Sequence, residues 1–86
     1  MDIGQAMQEL ENGNRVARVG WNGKGMWLDK VKAHWSGELV SGENMPDEWQ
    51  GNLPFVVMFT ADQKLIPWSA SQSDLQAKDW QVVGLD

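Results

Sequence analysis

The chain has no cysteine and no tyrosine, a single histidine, and no apolar run long enough to cross a bilayer. Each absence closes a class of function. Without cysteine there are no disulfides and no thiolate metal sites. His34 alone cannot build a His-rich zinc site, so neither a metal nor a cofactor is expected. Basic residues are scarce, with seven Lys+Arg against twelve Asp+Glu and a net charge of −5. General DNA or RNA binding needs a basic surface that releases counterions, and this balance argues against it. A small anionic ligand needs only a few local donors and stays open. The opening MDIGQAMQEL lacks the basic-then-apolar pattern of a signal peptide. No membrane contact is expected, and a soluble cytoplasmic protein is the plain reading.

Tryptophan, by contrast, is abundant: Trp21, Trp27, Trp35, Trp49, Trp68 and Trp80 in 86 residues. One domain spanning 1–86 is the only sensible count. A chain of this length buries only about 60–65% of the surface its unfolded form exposes. Small domains gain stability from disulfides, metals or oligomerisation; with the first two closed, a homo-oligomer is the default. A core of this size absorbs some of the tryptophans. The others are expected at an interface or a pocket, where an apolar face with one N–H donor is useful.

Residues 3–12 place Ile3, Ala6, Met7 and Leu10 on one helical face. Asp2 and Gln5 form a capping box at the start, and Gly13 is a natural stop. RVARVGW, residues 15–21, reads as a strand with Val16, Arg18 and Gly20 on one side and Arg15, Ala17, Val19 and Trp21 on the other. Asn22-Gly23 signals a turn, and residues 26–35 read as the returning strand. Residues 36–53 are acidic and broken by glycine and proline. They read as a loop with a short strand at Leu39-Val40, and a loop of this length is often functional. Residues 54–60 are near-continuously apolar, which predicts a strand buried on both faces. A turn over 61–64 leads to a strand at 65–68, with Pro67 at an end or edge. Ser71 and Asp74 fit a second capping box ahead of a single helical turn running to Lys78, and residues 79–85 read as a last strand. The fold class is α+β: an N-terminal amphipathic helix packed on a twisted antiparallel sheet, with one short helical turn near the C-terminus.

Nothing in the sequence points to catalysis. His34 reads as an exposed strand-end residue. Asp74 and Asp79 flank a helix end, where a capping role for Asp74 is simpler than acid–base work. Gly23-Lys24-Gly25 is too short for a phosphate loop or a dinucleotide fingerprint. Binding is better supported. In WNGKGMWL, Trp21 and Trp27 flank a pliable bend whose backbone N–H groups, at Gly23 and Gly25, lie beside the Lys24 charge. Such groups can hold a phosphate, and a tryptophan can stack on a purine. Yet both tryptophans can equally pack the sheet. In PWSASQSD, Trp68 is followed by Ser69, Ser71, Gln72, Ser73 and Asp74, an array of donors and acceptors suited to base edges and ribose hydroxyls. The two clusters look like halves of one nucleotide-sized pocket, which different protomers of an oligomer could contribute.

WNGKGMWL followed by LIPWSASQSDLQAKDWQVV resembles the second anti-Thoeris sponge family, small phage and prophage proteins long catalogued as a domain of unknown function. The likeness runs from the opening helix to residue Trp80 and is weakest over 36–53. The resemblance implies a non-enzymatic protein of the bacterial host cytoplasm. It would bind and sequester cyclic ADP-ribose isomers, the signal made by the TIR-domain enzyme of Thoeris defence. It also implies a homotetramer with ligand pockets between protomers, and in some members separate sites for cyclic di- or trinucleotides. Carried over by position, Trp21, Asn22, Lys24 and Met26 match the first motif; Trp68, Ser71, Gln72 and Asp74 match the second. Trp21 and Trp68 would contact adenine or ribose. Asn22, Ser71, Gln72 and Asp74 would hydrogen-bond base edges and hydroxyls. Lys24 with neighbouring backbone N–H groups such as Gly23, joined by Arg18, would meet the diphosphate. Gln63 departs from the pattern, which has glycine at that turn position. Two rival readings stay open: an oligomeric interaction module with no nucleotide ligand, and a hydrolase or lyase of cyclic nucleotides.

Overall fold

The computed structural model describes residues 1–21, 25–33, 39–41 and 53–84. The elements run α1 (Ile3–Glu11), β1 (Arg15–Arg18), β2 (Trp27–Ala33), β3 (Leu39–Ser41), β4 (Phe55–Phe59), β5 (Leu65–Pro67), α2 (Gln72–Gln76) and β6 (Trp80–Val83). The strands form one antiparallel sheet of six, in the order β5-β4-β2-β1-β6, with β3 also paired to β2. The expected α+β fold is what the structure has. His34, Trp35 and Trp49, and most of the acidic 36–53 stretch, lie outside the described residues.

α1 forms where its period and caps predict. The Asp2 carboxylate accepts from the Gln5 N–H at 2.8 Å, and the Gln5 side chain accepts from the Asp2 N–H at 3.0 Å. The helix ends at the Asn12 cap, and Gly13 follows with φ +86°, the left-handed conformation that glycine adopts without strain. Ala6 and Leu10 are buried against Val16, Leu28 and Trp80, and Ile3 and Met7 pack around them. The registers Val16↔Leu28, Val16↔Val82 and Leu28↔Met58 run one row of side chains across this helix-covered face.

The opposite face carries Trp27, Val57 and Phe59. Among the described residues no helix covers it. Trp27 stacks on Phe59 with centroids 3.9 Å apart, and the Arg15 guanidinium lies 3.8 Å from the Trp27 ring centroid. β4 therefore departs from the expectation of burial on both faces: Val57 is buried, but Phe55 is 39% exposed. The apolar run serves two half-covered surfaces, and only its middle residue is deep.

The first strand is also shorter than its alternation predicts. It ends at Arg18, whose carbonyl accepts from the Trp21 N–H at 3.1 Å in a turn. That turn breaks the period of two. Trp21 packs against the core of Val16, Leu28 and Trp80 at the end of the strand, while still bordering Ala17. The short helix ends earlier than expected, at Gln76 rather than Lys78. With Ser71 as N-cap, α2 starts at Gln72 and stops at Gln76, because Ala77 returns to extended backbone (φ −68°, ψ 148°). Pro67 closes the edge strand β5, where its missing N–H costs nothing.

Candidate functional site

The two sequence motifs converge on Trp80. This residue begins β6 on the helix-covered face, opposite Arg18, and is 2% exposed. Trp21 meets it edge-to-face at 5.4 Å between centroids, and Trp68 does the same at 6.0 Å. Edge-to-face packing sets the positive ring edge against the negative face and is favourable beyond area burial. The Trp80 indole N–H donates to the Asp74 carbonyl at 3.2 Å, which ties α2 to this cluster. Trp21 from the first motif and Trp68 and Asp74 from the second thus share one neighbourhood, although neither Trp21 nor Trp68 is the residue that joins them.

Around the indoles runs a charged network. Arg18 Nη1 donates to Asp74 Oδ1 and Arg18 Nε to Asp79 Oδ1, each at 3.0 Å. The other oxygen of Asp79 accepts from the Gly20 N–H at 2.8 Å. The other oxygen of Asp74 accepts from the Ser71 N–H at 3.0 Å, and the Ser71 hydroxyl accepts from the Asp74 N–H at 3.1 Å. The second capping box is therefore present as expected. Burial pushes the Asp74 carboxyl up, but the Ser71 N–H and the Arg18 guanidinium outweigh it and hold it below the ordinary value of 3.8. The Gly20 N–H and then Arg18 likewise hold Asp79 down, while Asp79 and Asp74 raise Arg18 above its ordinary value.

Met26 and Gly25 line a cleft of about 160 Å³ with Ala17, Arg18, Val19, Trp21, Gln81 and Val83. Gly25 sits at φ +74°, which suits glycine. Trp68, Ser71, Gln72 and Asp74 are not in this lining. Ser71 and Gln72 are exposed at the start of α2, whereas Asp74 is 8% exposed with both carboxylate oxygens engaged. Asn22, Gly23 and Lys24 lie outside the described residues. The cleft is below the roughly 300–1,000 Å³ of ordinary ligand pockets. The described residues thus offer an aromatic wall at Trp21, Trp68 and Trp80 and a polar rim at the start of α2.

The family model for the Thoeris anti-defense 2-like domain matches residues 1–83. The chain belongs to that family. A relative in Bacillus phage SP01, named Thoeris anti-defense 2, is 39% identical over 89 residues, which covers 96% of this chain and 94% of the relative. In this family member the stretches most loaded with aromatic and polar side chains, 21–28 and 67–74, fall within the matched span.

Sequence reasoning gives Trp80 no role beyond its place among the six tryptophans, weighs Asp79 only as a helix-end carboxylate, and points Arg18 toward a phosphate. One signal was available. Arg18 shares the alternation of Val16, so it points toward the helix-covered side, where an arginine requires carboxylate partners. No local pattern named Asp74 and Asp79 as those partners. Among the described residues no group of three His, Asp or Glu side chains is placed to hold a metal, and no helix is long and apolar enough to cross a membrane.

Proposed function

We propose that this chain is a phage anti-Thoeris protein that binds a cyclic ADP-ribose-type signal and sequesters it intact in the bacterial host cytoplasm. The convergence of both motifs on Trp80 carries the reading: Trp21 and Trp68 reach one indole from opposite ends of the sequence. Family membership and the relative's name supply the anti-Thoeris context. Trp21 and Trp68 offer flat surfaces to adenine or ribose. Ser71 and Gln72 offer exposed polar groups at the helix start. Asn22, Gly23 and Lys24 add donors by their position in the first motif, and Met26 adds an apolar contact. The small cleft beside Trp21 supports a pocket closed by a second protomer, as in a homotetramer. Cyclic di- and trinucleotides are candidate second ligands.

The carboxylates favour holding over turnover. A general acid must carry a proton near neutral pH, and a good general base has its pKa close to the working pH. Asp74 and Asp79 are held the other way, ionised and weakly basic, by N–H donors and Arg18. They serve architecture better than proton transfer.

The test is a thermal shift against cyclic ADP-ribose isomers, linear ADP-ribose, NAD, and cyclic di- and trinucleotides. Ligand at a hundred times its dissociation constant adds about 2.7 kcal/mol, on the order of ten degrees in a domain of this size. The expected result is a large shift with one cyclic ADP-ribose isomer, none with linear ADP-ribose or NAD, and intact ligand recovered after heat denaturation. Trp21→Ala should lose that shift while assembly persists. Degraded product alone would replace the sponge by a hydrolase or lyase. No shift with any compound, together with loss of assembly in Trp21→Ala, would leave an interaction module.

A further inference from the structure

We propose that Arg18 and Asp79 are positioning residues for the ligand site: they strap the turn that carries Trp21 to the segment that carries Ser71 and Asp74, and neither touches the ligand. The inference rests on the sponge reading and deepens it.

The connections are continuous. The Trp21 N–H bonds the Arg18 carbonyl at 3.1 Å, so Trp21 is set by the turn that starts at Arg18. Among the described residues that turn has no partner strand. Instead the Val19 N–H donates to the Asp79 carbonyl at 3.0 Å and the Gly20 N–H to the Asp79 carboxylate at 2.8 Å. Arg18 then bridges Asp79 to Asp74, and Asp74 fixes the start of α2 through Ser71. The two motifs, some fifty residues apart in sequence, are joined by one guanidinium between two carboxylates.

The charge balance argues that this guanidinium is not the anion receptor. One positive charge faces two negative ones, so the cluster carries net negative charge and repels a diphosphate. Two of its three nitrogens, Nε and Nη1, are already engaged. Gly20 belongs to the same device. A Cβ there would lie 3.0 Å from Asp79 Oδ2, an oxygen that cannot retreat without giving up the Gly20 N–H.

The alternative, Arg18 bonding the ligand directly, predicts the opposite sign for Asp79. Neutralising Asp79 would then release Arg18 toward the anion and tighten binding. A strap predicts weakening. The experiment measures affinity by calorimetry for the cyclic ADP-ribose isomers of the panel, in wild type, Arg18→Gln, Asp79→Asn and the double variant. Affinities are compared at a temperature where each variant is folded by far-ultraviolet circular dichroism. Near-ultraviolet circular dichroism reads the coupling of Trp21, Trp68 and Trp80 with no ligand present.

We expect each single variant to weaken binding roughly 10- to 100-fold, the size of a lost charged hydrogen bond. The double variant should bind no worse than the weaker single, because both act through one connection. Both singles should lose much of the near-ultraviolet signal. Unchanged or tighter binding in Asp79→Asn overturns the proposal, and so do additive losses in the double variant. If wild type binds nothing on the panel, the sponge reading fails, and the strap is judged on dichroism alone: a retained indole signal in both variants overturns it, and a lost one upholds it. Should Arg18→Gln not fold, Arg18→Lys, which keeps the charge but cannot fork between two carboxylates, takes its place with the same expected outcomes.

Discussion

Trp21 and Trp27 stand at the two ends of one eight-residue stretch, yet they serve opposite faces of the sheet. Trp21 joins Trp68 around the buried Trp80, edge-to-face, beside a charged network that reaches α2. Trp27 lies flat on Phe59 under the Arg15 guanidinium, on the face that no described helix covers. The residue type is the same and the setting differs. On the first face the indoles have a hydrogen-bonded hub and polar neighbours at Arg18, Asp79 and the second motif. On the second, stacking and a cation are the main interactions, with Asp29 3.9 Å from Arg15. The difference teaches that aromatic density alone does not locate a site. What locates it is the convergence of aromatic groups with polar groups from distant parts of the chain.

The sharpest way to break this comparison is to truncate each side. Trp80→Ala removes a 2%-exposed hub together with its N–H bond to Asp74. Large aromatic truncations in cores cost about 3–5 kcal/mol, a large part of the roughly 5–15 kcal/mol a domain has. Trp27→Ala removes a half-buried stack and a cation–π contact, and should cost about 1–3 kcal/mol. Urea denaturation read by far-ultraviolet dichroism gives both numbers. Equal losses would mean that the open face is as much a core as the covered one, and that the two faces differ only in appearance.

Acid probes the Trp80 side from its charges. Asp74 and Asp79 both have folded pKa values below the ordinary 3.8. The unfolded chain therefore binds protons first as pH falls, and the folded state loses ground. The stability these groups contribute is complete above the ordinary value and declines as pH drops through their folded values. Melting midpoints should be nearly flat from neutrality to about pH 5 as far as these two groups are concerned, then fall steeply below about pH 4. Asp79→Asn should start lower and fall less. An identical slope in wild type and variant would mean that Asp79 carries no pH-dependent part of the fold.

Much of this architecture is local, and local features are readable. The Asp2/Gln5 and Ser71/Asp74 capping boxes, the Gly13 stop and the helical stripe of α1 each lie within one turn of sequence. The end of β1 is not local. Val19, Gly20 and Trp21 continue the alternation on paper, but the N–H groups of Val19 and Gly20 find acceptors on Asp79, far along the chain. Alternation sets Trp21 beside Ala17 and Val19, and the turn lets it also pack on Trp80. The site was legible in the same partial way. Its two motifs stand out by composition, while the residue that joins them, Trp80, looks like any strand tryptophan until Trp21 and Trp68 are seen against it. Arg18 shows the limit most plainly: its side of the strand was readable, its two partners were not.

The smallest effect concerns the hairpin that carries Phe59, the stacking partner of Trp27. The Gln63 N–H bonds the Thr60 carbonyl at 3.0 Å, the Lys64 N–H bonds the Thr60 hydroxyl at 3.0 Å, and Phe59 pairs with Leu65 across the strands. This turn needs a residue in the left-handed region, and Gln63 takes that place at φ +64°. For a residue with a Cβ that conformation costs on the order of 1–2 kcal/mol, which explains why glycine is the expected residue there. Gln63→Gly removes the strain, while the greater freedom of glycine in the unfolded chain returns part of the gain. The net expectation is a stabilisation of about 0.5–1 kcal/mol, read as a rise of several degrees in the melting midpoint. Because the change lies on the Phe59 hairpin, ligand affinity and the near-ultraviolet signal of the Trp80 cluster should not move. A change in affinity would show that the two tryptophan faces are energetically coupled.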